Sequence, residues 1–128
     1  IERQPGSFVR RIFVGDGGER KEATDDEMLE YYSGLVEDLG GEKKGLWVSA
    51  IALVISKGKT FIQGFKRETI LTSKVSPKRT PGEPLNSIQI DPATGKYFID
   101  LTKDEWLKLQ TERERGYIDF IKSHINEI

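Results

Sequence analysis

The residues best suited to chemistry lie close together in the second half of the chain. Lys74, Lys78 and Arg79 sit in the run Lys74-Val-Ser-Pro-Lys-Arg-Thr-Pro-Gly-Glu-Pro-Leu-Asn-Ser87, which ends on Asn86 and Ser87. Cations on a loop suit charge-assisted bonds to phosphate oxygens, and the amide and hydroxyl suit a base or a ribose. A second polar group, Glu112, Arg113 and Arg115, interrupts the apolar stripe of a helix near the end of the chain. It could read a base edge or a phosphate. Each group also has an ordinary explanation. The loop can be a solvated basic segment, Asn86 and Ser87 can be turn residues before a strand, and Glu/Arg runs on helices commonly form exposed pairs worth a few tenths of a kcal/mol. Both explanations stand at this level.

The loop needs a frame, and the flanking residues supply one. Thr24-Asp-Asp-Glu27 is a capping box, followed by Met28, Tyr32, Leu35, Val36 and Leu39 on one helical face and by the stop Gly40-Gly41. From Gly45 to Ser56 the run Leu-Trp-Val-Ser-Ala-Ile-Ala-Leu-Val-Ile reads as a strand buried on both faces. Lys57-Gly58 turns it into a partner strand beginning at Thr60, and Glu68 to Leu71 either extends that strand or leaves the sheet. Phe8 to Val14 is a further candidate strand, ending at Gly15-Asp-Gly-Gly18. That glycine turn lacks the strand–GxGxxG–helix order of a phosphate fingerprint, so a hairpin or loop is expected. A second capping box, Thr102-Lys-Asp-Glu105, opens the last helix, in which Gly116 and the polar residues before it predict a weak point, since Gly costs ~1 kcal/mol there. Together these elements predict an α/β fold over a single domain, residues 1–128. A mixed, largely antiparallel sheet is led by the 45–67 hairpin and flanked by helices near 25–39 and 103–124.

Composition narrows the function classes. The 128 residues are long enough for one core, and 32% charged with a net charge of −1 carries no nucleic-acid or membrane-surface signature. No cysteine is present, which removes disulfides and thiolate metal sites and suits a cytoplasmic protein. No apolar run is long enough to span a bilayer. His124 is the only histidine, so neither a zinc cluster nor a Cys/His dyad can form around it; a place at the end of the last helix is expected. Trp47 and Trp106 read as core or interface aromatics rather than stacking platforms. The start, Ile1-Glu-Arg-Gln-Pro-Gly, has no initiator Met and reads as the interior of a longer protein.

The order of these pieces resembles the Ham1-like family, the inosine and xanthosine triphosphate pyrophosphatases. Pro5, Gly6, Phe8 and Arg11 match the family's Pro-Gly-x-Tyr-Ser-Ala-Arg segment, and Met28 to Gly41 matches the helix before its hairpin. Pro77-Lys78-Arg79 stands at Pro-Arg-Gly, and Gly82 to Ser87 stands at Gly-Phe-Gly-Tyr-Asp-Pro, with Glu83 at the base-stacking Phe and Asn86 at the Asp. Gly95-Lys96 with Phe98 matches Gly-Lys-Thr-Phe, and Ser-His-Arg falls on Gln110-Thr111-Glu112 without a gap or, keeping an arginine, on Thr111-Glu112-Arg113 with one inserted residue. The resemblance implies a fragment of an ITPase-like fold and substrate contacts from Arg11, Lys78, Arg79, Asn86, Ser87, Glu112 and Arg113. It also implies Mg²⁺, a nucleoside triphosphate substrate and a homodimer. The family's N-terminal third, with its phosphate loop and metal-binding carboxylates, has no counterpart, and Asp25-Asp26-Glu27 is explained by helix capping. No catalytic or metal-ligating residue is therefore assigned, and the chain is expected to supply the recognition half of a pyrophosphatase. The alternative is a non-catalytic nucleotide-binding or protein-interaction module.

Overall fold

The computed structural model describes residues 9–13 and 20–128, Phe13, Arg20 and Lys21 by their backbone. Local chemistry explains the first long element. Helix α1, Asp25–Asp38, begins at Thr24, whose hydroxyl accepts from the Glu27 amide while the Glu27 carboxylate accepts from the Thr24 amide. Its end is a glycine stop: Gly40 and Gly41 have φ of 105° and 85°, and their amides return to the carbonyls of Glu37 and Val36. Both features agree with the sequence.

Two short antiparallel strands precede it, β1 (Arg11–Phe13) and β2 (Arg20–Glu22), in the register Arg11↔Glu22 and Ile12↔Lys21. The candidate strand at 8–14 thus corresponds to β1. The sequence did not reveal β2, because Arg-Lys-Glu carries neither β-branched nor aromatic residues. The glycine turn at 15–18, and Pro5, Gly6 and Phe8, lie outside the described residues.

After α1 the chain forms a long hairpin, β3 (Glu42–Ser56) and β4 (Lys59–Thr72), turned at Gly58 with φ of 83°. The segment 68–71 extends β4. A two-residue strand, β5 (Gln89–Ile90), adds antiparallel to β4 with Ile70 opposite Ile90, completing a three-stranded sheet in the order β3-β4-β5. The fold is α/β with antiparallel sheets and two α-helices; no parallel pairing occurs among the described strands.

One expectation is corrected here. β3 is not covered on both faces: exposed and half-buried residues alternate, with Leu46 51%, Val48 64% and Val54 67% exposed. Composition alone could not separate a doubly buried strand from a one-sided one whose open face happens to be aliphatic.

The chain packs as two compact units. The first comprises residues 1–45 and 69–100, the second 46–68 and 101–128. The first unit's core brings Ile12, Ala23, Met28, Leu29, Tyr32 and Ile88 together, with Val75 and Leu85 packed against it. In the second unit, helix α2, Lys103–Ser123, opens at the Thr102–Glu105 capping box and runs unbroken through Gly116. The polar stretch and Gly116 thus leave the helix continuous, whatever they cost it locally. A Cβ on Gly116 would come within 2.9 Å of the Phe65 ring, so the glycine lets an aromatic of the hairpin pack on the helix. His124 caps α2, its Nδ1 2.9 Å from the Phe120 carbonyl oxygen and its ring 4.2 Å from that of Phe61. No helix among the described residues is long and apolar enough to cross a membrane.

Candidate functional site

The basic loop is held in a defined shape inside the first unit. Its two ends are joined where the Ser76 amide donates to the Ser87 carbonyl at 2.8 Å, and where the Thr72 amide donates to the Ile88 carbonyl at 3.0 Å. Tyr97 closes its start by donating to the Lys74 carbonyl at 2.7 Å. Pro84–Ser87 forms a 3₁₀ turn that carries Asn86 and Ser87, and Phe98–Asp100 forms another in contact with it. A loop of this length with so few regular hydrogen bonds is uncommon unless something specific fixes it.

Each of the seven candidate residues has a defined place. Lys78 is 65% exposed on its side chain and pairs its ammonium with Asp100; such an exposed pair contributes only ~0–1 kcal/mol. Arg79 turns back, donating to the carbonyls of Ser76 and Lys78. Asn86 donates its side-chain amide to the Glu83 carboxylate at 2.8 Å. Ser87 is fully buried and its hydroxyl donates to the Lys78 carbonyl at 2.7 Å. For Asn86 and Ser87, turn chemistry describes the bonds they make, and Ser87 shapes the loop from beneath. Arg11 is exposed on β1. The structure thus gathers Lys78, Arg79, Asn86 and Ser87 on one loop and places Glu112 and Arg113 on α2, in the other unit.

A clasp that the sequence did not reveal fixes the tip of this loop. Asp25, the first residue of α1, accepts from the Gly82 amide at 2.8 Å and from Arg10 at 2.9 Å. Arg10 also reaches the Ala23 and Gly82 carbonyls at 2.9 and 3.2 Å. Gly82 has φ of 82°, a conformation that favours glycine and exposes its amide to the carboxylate. The Gly82 amide first, and then the Arg10 guanidinium, hold the Asp25 carboxyl below its ordinary value of 3.8. A carboxylate with a depressed folded pKa stabilises the fold above its unfolded pKa, and that contribution disappears as pH falls through the folded value. Asp25→Asn is therefore expected to melt at a lower temperature than the parent near neutral pH, with the difference vanishing in acid well below pH 3.8. Paired melting curves across pH check this; a difference that persisted unchanged at the acid end would contradict it.

The same bonds decide whether the carboxylates at the start of α1 could hold Mg²⁺. The ion needs oxygens converging on one point, usually one or two carboxylates with phosphate oxygens. Asp25 is committed to Gly82 and Arg10, and Glu27 to the helix cap. Among the described residues no group of three or more His, Asp or Glu side chains converges. This donor set does not fit the ion, and no chemical step is derived through it.

The second unit contains a pocket of about 320 Å³ wholly within its own residues. Trp47, Phe65, Trp106 and Tyr117 line it beside Arg67 and Arg113. Phe65 and Tyr117 meet edge to face with centroids 4.9 Å apart. Of the seven candidates, Arg113 alone lines this pocket, while Glu112 is exposed beside it in sequence. The tryptophans are half-buried pocket walls, where the sequence suggested core or interface. The usable signal was the spacing of Trp106, Leu109, Arg113 and Tyr117, in steps of three, four and four residues along one helical face. Compared with protein-family models, characterised proteins and solved structures, the chain matches none.

Proposed function

We propose that this chain is the substrate-recognition part of a Ham1-like nucleoside triphosphate pyrophosphatase. The parent reaction would convert non-standard purine triphosphates to monophosphate and pyrophosphate with Mg²⁺, in a cytoplasmic homodimer. The observation that carries the reading is the fixed basic loop. Its ends are tied to each other and its tip is clasped to α1, while the Lys78 ammonium stays largely exposed, paired with the Asp100 carboxylate that a phosphate can replace. The order of elements around it supports the same reading: capped helix, long hairpin, loop, short strand, Gly95-Lys96 turn and capped helix.

A second reading has its own observation. Asp25 and Glu27 at the start of α1 are committed to the clasp and to capping, so this chain can serve as a nucleotide-binding module without catalysis. Pyrophosphate release by the complete gene product separates the two. Mg²⁺-dependent release supports the enzyme. Nucleotide binding that is indifferent to Mg²⁺ and yields no pyrophosphate supports the module.

A further inference from the structure

We infer that the pocket of the second unit is a stacking site for a planar aromatic anion of the nucleoside monophosphate class, with the base against Trp47 and Trp106 and the phosphate on Arg113. The inference deepens the nucleotide reading and rests on it for the identity of the ligand.

Three observations carry it. Aromatic rings make up much of the wall, contributed by both strands of the hairpin and by α2, and every base presents a face that such rings can stack on. The charges lining the pocket are all positive: Arg67 and Arg113 are joined by Lys66, and no carboxylate lines it. Arg113 is exposed, and no hydrogen bond or ion pair engages its guanidinium among the described residues, so its fork is open to a phosphate. The volume, about 320 Å³, falls at the small end of the ~300–1,000 Å³ range of ligand pockets, which suits a base with one phosphate better than a long polymer.

The walls are also rigid where a stacking site needs rigidity. Phe65 is seated on the helix at Gly116, where even a methyl group would collide with its ring. Tyr117 braces Phe65 edge-on, and its hydroxyl lies 3.5 Å from that of Ser49 across the pocket lining. The Gln110 side chain adds an amide able to meet a base edge.

The chain contains two tryptophans and both line this pocket, so its intrinsic fluorescence reports on the site directly. The test titrates the full chain with inosine monophosphate, neutral inosine and inorganic tripolyphosphate. Inosine monophosphate is expected to quench the fluorescence saturably. Inosine should bind about tenfold more weakly, having lost the charge-assisted bonds, and tripolyphosphate should cause no stacking quench. Arg113→Gln, an exposed substitution, should weaken the monophosphate about tenfold and leave inosine unchanged. Absence of saturable quenching would overturn the inference, as would inosine binding as tightly as its monophosphate or an unaffected Arg113→Gln variant. Failure here is read from fluorescence, whereas failure of the pyrophosphatase reading is read from pyrophosphate release, so the two are told apart.

Discussion

Ile88→Ala is expected to remove about 2–5 kcal/mol of stability, a large share of the ~5–15 kcal/mol available to a domain. Ile88 has no exposed surface and packs with Met28, Leu29 and Tyr32 of α1. It also sits where the basic loop returns to the sheet, its carbonyl accepting from Thr72 and its amide donating to Leu85. Removing its side chain leaves a cavity that a helix and a tied loop can close only in part. Ile88→Val should cost about 0.5–1.5 kcal/mol, since most of the contacts survive. Denaturant titration of both variants measures the difference. An alanine variant within ~1 kcal/mol of the parent would mean that the loop is not anchored through this residue.

Phe98→Ala is expected to cost about 3–5 kcal/mol. The ring is 1% exposed on a short 3₁₀ turn, an element with few hydrogen bonds of its own that depends on the side chain it buries. The consequence reaches the loop, because the same turn ends at Asp100, the partner of Lys78. Thermal unfolding should show a large loss for the alanine and a smaller one for Phe98→Leu, which keeps much of the apolar volume. Equal losses would indicate that the ring's shape, rather than its buried volume, holds the turn.

What the sequence revealed depended on how local the physics is. Both capping boxes were legible because their bonds join residues three positions apart, and the α1 stop because two consecutive glycines take positive φ. The hairpin was legible from its β-branched run and its Lys57-Gly58 turn. Features set by distant partners were not. The Asp25–Gly82 clasp joins residues 57 positions apart, and nothing about Asp25 distinguishes it locally from an ordinary first-turn acid. Gly116 read only as a weak point of the helix because its packing role is defined by Phe65, on another element. The aromatic pocket escaped for the same reason: Trp47 and Trp106 acquire a common purpose only when the hairpin and α2 are packed. Of the candidate residues, Arg113 presents an exposed cation to the pocket and Lys78 an exposed cation paired with Asp100, whereas Arg79, Asn86 and Ser87 are engaged within the loop.

The central claim is that this chain recognises nucleoside triphosphates for hydrolysis at the α-phosphorus. Its most direct test is pyrophosphate release by the complete gene product, with Mg²⁺, from inosine, xanthosine and the standard nucleoside triphosphates. The account predicts release that depends on Mg²⁺ and is confined to the non-standard purines. A folded protein that releases no pyrophosphate from any of them would contradict it.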